Sequence, residues 1–190
     1  SLDVLNDAIE AKRKVRFTYN RCGTDFRLHP RREEPYVVNP YQLVAQNGWY
    51  YLIGNYDAYD NISHYRLDRI TDIEMLSEPR KPKEDIGELA RGFSLPRHMA
   101  EHIYMFSGKS VTVRLRTEVS MMDSLTDWFG RDFYIHPEGD GRIIVTLRCN
   151  EEAMKYWALQ FGAYVEIIEP AHLREALKNV LLRMCRRYGV

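Results

Sequence analysis

The 190-residue chain has no excess charge of either sign: 27 Lys and Arg balance 27 Asp and Glu. No global basic field therefore marks a nucleic-acid binder, and any such contact must come from a local patch. Cysteine is scarce. Cys22, Cys149 and Cys185 are odd in number, far apart and without a CxxC spacing, which argues against both a disulfide framework and a cysteine zinc site. A reducing, cytoplasmic setting is expected. No apolar run is long enough to span a bilayer and the start carries no signal-peptide pattern, so no membrane role is expected. Internal repeats and low-complexity tracts are missing too. With 45% hydrophobic residues, the chain can still build one domain core or two small ones.

The opening "LDVLNDAIEAKRK" places Leu2, Leu5, Ala8 and Ile9 on one helical face. It starts abruptly within a helical pattern, on Ser1 rather than Met, which reads as a piece of a longer protein. "VRFTYN" then alternates Val15, Phe17 and Tyr19 with polar residues, a half-buried strand. "RCGTDFRL" reads as a tight turn and a returning strand, with Gly23 at positive φ. "NPYQLVAQ" leads to Asn47-Gly48, a strong hairpin signal, and "WYYLIGNY" runs back from it. "ISHYRLDRITDIEML" reads as one long alternating strand. About five antiparallel strands behind a helix predict a small curved sheet or barrel.

"SEPRKPKEDIGELARG", with two prolines and dense mixed charge, reads as a linker. Beyond it the pattern is a short helix, then strand, helix, strand, strand, helix, strand and a final helix, the β-α-β-β-α-β order of a ferredoxin-like domain. Gly130 and Gly162 stand at helix-ending positions. The expected class is α+β, with residues 1–76 and 109–190 as domains and 77–108 between them.

Taken together, "GWYYLIGNY" and the following "HYRLDRI" resemble the WYL domain, named for its Trp-Tyr-Leu signature. Trp49, Tyr50 and Leu52 carry that signature here, with Tyr51 interposed, and the preceding "NPYQLV" fits the same pattern. The resemblance runs from about Leu2 to Leu76, and residues 110–190 look like the extension that often follows such a domain. It implies an Sm-like or SH3-like β-barrel that senses a ligand, often a nucleotide or nucleic-acid fragment. In bacterial transcriptional regulators that barrel usually follows an N-terminal helix-turn-helix domain, which these residues do not include. DNA contact through that missing domain and a homodimer are the partners implied.

Period two puts Trp49, Tyr51 and Ile53 on one face of their strand and Tyr50, Leu52 and Gly54 on the other. Most of these rings read as core or interface filler, with one or two lining a pocket. In "SHYRLDRI", Tyr65 and Leu67 should face the core, which sends His64, Arg66 and Asp68 to the opposite face. There Arg66 offers a fork for phosphate or carboxylate and His64 a donor, and Arg69 joins them through a local bulge. Simple ion pairing of Asp68 with Arg66 or Arg69 is the plainer reading of the same residues. A second basic cluster, "RLHPRREEPY", brings Arg31 and Arg32 near Tyr36 and Tyr41, although Glu33 and Glu34 offset its charge. The candidate ligand residues are therefore His64, Arg66, Arg69, Tyr51, Tyr41 and Arg31.

Two enzyme patterns appear. "HMAEH", His98 to His102, matches H-x-x-E-H, but it needs a third ligand from elsewhere, and its plainer reading is a polar helix face. "GKS" at 108–110 has Ile103 where a P-loop needs its first Gly and is followed by a strand. No cofactor, metal or catalysis is expected. Three functions stand beside each other: a sensor of a nucleotide-like, oligonucleotide or other anionic effector, a protein-interaction or dimerisation module, and a metalloenzyme.

Overall fold

Helix α1, Leu2–Glu10, buries Leu5 and Ala8, while Leu2 stays 50% exposed, so its apolar face is one turn shorter than its spacing implied. The structure is a computed structural model that describes residues 2–90 and 92–190. Six strands follow: β1 Arg13–Cys22, β2 Leu28–Pro30, β3 Tyr36–Gln46, β4 Trp49–Tyr56, β5 Ile62–Arg66 and β6 Ile70–Pro79. They form one antiparallel sheet in the order β2-β1-β3-β4-β5, with β6 also on β1. Because β1 pairs with β2, β3 and β6 at once, the sheet curls around the apolar side chains of its inner face. Val15, Phe17, Val38, Leu52, Tyr65 and Ile70 meet Leu5 and Ala8 there.

Turn chemistry explains the β3–β4 register. Asn47 and Gly48 both take positive φ, 51° and 79°, the combination that a two-residue type I′ turn demands. Gly23 behaves differently from the expectation. It is Phe26, at φ 60°, that takes the left-handed conformation of that turn. Gly23 is instead a close-approach position, where a Cβ would lie 2.7 Å from both Asp25 Oδ1 and His29 Cδ2.

The long strand expected over 62–76 is two strands. Leu67–Arg69 form a single 3₁₀ turn, because β5 pairs with β4 whereas β6 pairs with β1. Alternation continues on both sides of that turn, so the period alone hides the change of partner.

The segment read as a linker, 77–92, is mostly exposed and buries Ile86 and Leu89. The chain divides into two compact units, Ser1–Ser94 and Leu95–Val190. The second holds α2 Leu95–Glu101, β7 Ser110–Glu118, α3 Met122–Phe129, β8 Tyr134–Gly139, β9 Arg142–Asn150, α4 Glu151–Gln160, β10 Glu166–Glu169 and α5 Ala171–Arg187. Its antiparallel sheet has the order β10-β7-β9-β8. Val113, Leu115, Val145 and Leu147 of the sheet pack with Leu125, Phe129, Trp157 and Leu173 of the helices. The Asn150 side chain caps α4 by accepting the Ala153 N–H at 2.9 Å. Gly130 ends α3 at φ 72°, whereas Gly162 follows α4 without a left-handed φ. The architecture is α+β in both units.

Candidate functional site

Strands β4 and β5 place Tyr51 opposite Arg66, Leu52 opposite Tyr65 and Ile53 opposite His64. Leu52 and Tyr65 are core residues, so Trp49, Tyr51, His64 and Arg66 share the other face. Arg66 is the centre of that face. Its guanidinium lies 3.6 Å from the centroid of the Trp49 ring, a cation–π stack. Its Nε and Nη2 both donate to the Asp68 carboxylate, at 3.0 and 2.7 Å. The backbone N–H of Arg66 donates to the Tyr19 hydroxyl at 3.1 Å, and the Arg31 guanidinium stands 5.1 Å over the Tyr19 ring.

The charges of these groups feel one another. The bidentate bond from Arg66 holds the Asp68 carboxyl below the usual carboxylate range, with Arg69 adding to the effect. The same bond raises Arg66. Burial raises the Tyr51 hydroxyl, against the pull of Arg66 and Arg69. Arg66, Arg69, Asp68, Tyr51 and Tyr19 thus form one electrostatic neighbourhood, edged by the half-exposed ring of Trp49.

Residues 1–75 match the WYL domain family and residues 109–185 match the WCX domain family. The chain carries a WYL domain followed by a WCX domain. A relative, the uncharacterized HTH-type transcriptional regulator YobV of Bacillus subtilis strain 168, is 22% identical over 185 residues, covering 97% of this chain and 54% of that protein. The chain therefore spans about half the length of the curated relative it matches. A crystal structure of a CRISPR Cas-related protein shares the fold at TM-score 0.56 and 15% identity, covering 98% of this chain and 50% of its own. Proteasome accessory factor B/C of Arthrobacter aurescens aligns over 94% of this chain and 25% of its own, with TM-score 0.39 and 19% identity.

Within the WYL domain, the residues expected to form one site fall into two places. Arg66 and Tyr51 pair across β4 and β5 beside Trp49, the charge of Arg69 is felt by Tyr51 and Asp68, and His64 lies on the same face of β5. Arg31 instead covers the core ring of Tyr19, whose hydroxyl meets the Arg66 N–H. Tyr41 stands elsewhere. Its hydroxyl donates to the Lys81 carbonyl at 3.0 Å, Arg80 covers its ring at 5.0 Å, and burial pushes its pKa up to about 12. The Lys81 N–H donates in turn to Asn39 Oδ1 at 2.8 Å. Asn39 donates to Asp57 at 2.9 Å, and Lys14 binds Asp57 at 3.0 Å. This second cluster fastens the chain after β6 to the sheet. Arg32, the neighbour of Arg31, is wedged between rings, 3.7 Å from the Tyr36 centroid and 4.8 Å from that of Tyr56. It donates to the Glu34 and Pro35 carbonyls and to the Tyr56 hydroxyl, so its fork is occupied by the fold.

Trp49 as the platform for Arg66, and Tyr19 as the hydroxyl beneath it, were not among the candidate residues. The signal for Trp49 was present in part, because the Asn47-Gly48 turn and the alternation already set it on the face of Tyr51. Nothing local marks Tyr19, which reaches Arg66 only through the curl of the sheet.

The histidines of "HMAEH" are buried rather than on a polar helix face. Their rings stack at 4.1 Å, His102 Nδ1 lies 2.9 Å from the His98 carbonyl oxygen, and burial pushes His98 down to about 4. Glu101, the acid of that pattern, is engaged by Arg97 at 3.1 Å and Arg148 at 3.4 Å. The base that the protease pattern requires is therefore held in ion pairs.

In the WCX domain a polar cleft of about 260 Å³ is lined by Arg116, Arg142, Tyr164 and Glu166, among others. Its charges largely cancel. Arg116 binds Glu138 at 2.7 Å and Glu166 at 2.8 Å, and Arg114 binds Glu169 at 2.8 Å. Arg114 and Arg116 are thus neutralised by carboxylates of the same sheet.

Proposed function

We propose that this chain is the effector-sensing region of a bacterial, cytoplasmic transcriptional regulator. Its WYL domain holds a nucleotide-like, oligonucleotide or other anionic effector and controls a DNA-binding domain outside these residues. The observation that carries this reading is the Arg66 guanidinium on the Trp49 ring, with Tyr51 and His64 on the same face, Arg69 within electrostatic reach, and Arg31 over the Tyr19 ring whose hydroxyl meets the Arg66 N–H. Guanidinium groups bind phosphate oxygens while exposed aromatic rings stack on bases, and this face offers both. Tyr41 is left out of the site because its hydroxyl and ring are already taken. Effector binding acts on DNA affinity only through a difference in affinity between two states of the whole protein.

Finer fold assignments belong to the same reading. Curling of the six-stranded sheet about β1 supports an Sm-like or SH3-like barrel over residues 1–76. The order β10-β7-β9-β8 supports a ferredoxin-like domain over 109–190, joined by 77–108.

A titration of the chain with mononucleotides, cyclic dinucleotides and short single-stranded DNA and RNA at two salt concentrations tests the reading. Binding should weaken with salt and fall roughly 10- to 100-fold in Arg66→Ala, as loss of a charge-assisted hydrogen-bonding group predicts. Equal binding by that variant removes the site.

A second reading, a homodimerisation module without a small ligand, is favoured by one feature. Helix α5 leaves Leu181, Leu182 and Met184 exposed toward its C-terminal end, and Tyr188 is exposed just beyond it. Sedimentation of the chain over a concentration series, with no response to the ligand panel, would favour that reading over the sensor.

A further inference from the structure

The Asp68 carboxylate occupies the place where an anionic effector would bind. It accepts both Nε and Nη2 of Arg66, at 3.0 and 2.7 Å, and so fills the side-on edge, one of the two donor edges with which a guanidinium grips a carboxylate or phosphate. The opposing grip on that guanidinium is a ring face: Trp49 lies 3.6 Å away and makes no use of the edge donors. Arg69 also acts on the Asp68 carboxylate. Arg66, which holds Asp68 by hydrogen bonds, and Arg69, whose charge also favours the carboxylate form, are two of those read as effector ligands. Asp68 is 46% exposed and the Arg66 side chain 20%, so the carboxylate can swing into solvent without opening the core.

We infer that Asp68 is an intramolecular competitor for Arg66, a carboxylate that stands in for the effector and leaves when a bidentate oxyanion replaces it. This rests on the reading of Arg66 as the effector site and adds two points. First, the effector presents two oxygens in the geometry that Asp68 now presents, as the edge of a phosphate or a carboxylate does. Between Arg66 and Arg69, a phosphate with more than one negative charge gains more than a single carboxylate. Second, displacement sets a threshold. A weak monoanion fails to dislodge an acceptor tethered two residues away, because the tether gives Asp68 a high effective concentration. Trp49 keeps the guanidinium plane oriented during the exchange, so Arg66 need not search for its geometry after Asp68 departs.

The test compares wild type, Asp68→Asn, Asp68→Ala and Arg66→Ala in titrations with three probes: AMP, a short single-stranded deoxyoligonucleotide and succinate. The probes separate phosphate from carboxylate and mononucleotide from strand. Asparagine keeps the shape of the aspartate and removes its charge. Both Asp68 variants should bind the successful probe roughly two- to fivefold more tightly than wild type, the gain expected from releasing a partly exposed bidentate pair. Thermal unfolding of each variant reports on the fold separately. Binding that Arg66→Ala removes but the Asp68 variants leave unchanged or weaken overturns the competitor role and leaves the Arg66 site standing. Failure of all three probes with wild type and Asp68 variants alike overturns both.

Discussion

Arg66, the last residue of β5, is tied through its backbone N–H to the hydroxyl of Tyr19 in β1, 3.1 Å away across the curl of the sheet. Tyr19 is itself fixed edge-on to Tyr65 at 5.2 Å and to Tyr36 at 6.0 Å. The aromatic core therefore positions the candidate site directly. Tyr19→Phe retains the ring contacts and releases the Arg66 N–H. It should lower stability by about 0.5–1.5 kcal/mol, the usual net worth of such a bond, and weaken effector binding several-fold. Urea unfolding beside the titration checks both, and unchanged binding would show that the site does not depend on this tie.

The fastening of the post-β6 segment should show in acid. Burial alone would raise the Asp57 carboxyl, but the hydrogen bonds from Asn39 and Lys14 outweigh it and the net direction is down. A carboxylate depressed in the folded state adds stability above its unfolded pKa, and that stability is lost as pH falls through the folded value. Lys14 is raised, chiefly by its bond to Asp57, so its share persists below its ordinary value and fades only as alkaline pH passes the folded one. Melting temperatures between pH 2 and 5 should fall less steeply for Asp57→Asn than for wild type, with the variant the less stable at pH 7. Parallel profiles would mean that other carboxylates govern the acid limb.

Gly48→Ala isolates a backbone effect. Nothing lies within 4 Å of a Cβ built there, yet the residue sits at φ 79°. An alanine at that φ should cost about 1 kcal/mol through backbone strain alone. Denaturant midpoints would detect the cost, and an unchanged midpoint would mean that the β3–β4 turn tolerates another form.

What could be read from the amino acids was local. Asn47-Gly48 announces its turn, and the alternation of Val15, Phe17 and Tyr19 announces the inner face of β1. The placement of Arg66 and Tyr51 together follows from pairing two such strands. What escaped was set by distant partners. The turn at Leu67–Arg69 exists because β6 must reach β1, and no residue within it signals that need. Arg31 and Arg32 look alike in sequence, yet one covers Tyr19 while the other is wedged between Tyr36 and Tyr56. His98 and His102 look like a polar helix face and are buried. Tyr41 looked like part of the site through its nearness in sequence to the basic cluster, but the bulge between Pro40 and Gln42 lies in the stretch of β3 where it meets Lys81 instead.

The second core turns on Trp157. The ring is fully buried, with its centroid 4.8 Å from that of Phe129 and 5.0 Å from that of Phe161. Its Nε1–H has no hydrogen-bond partner among the described residues, so the indole contributes apolar contact while carrying an unmet polar group. These two features act in opposite directions and can be separated. Trp157→Ala removes the contact and leaves a cavity, with an expected cost of about 3–5 kcal/mol. Trp157→Phe keeps a ring and deletes the unpaired donor, whose burial costs about 1–3 kcal/mol, so part of the lost contact is offset. The phenylalanine variant should therefore unfold much closer to wild type than the alanine variant does. Chemical denaturation followed by near-ultraviolet circular dichroism distinguishes them. If both variants lose the same stability, the indole nitrogen is not carrying the penalty assigned to it and the shape of the whole ring system sets the stability of this core.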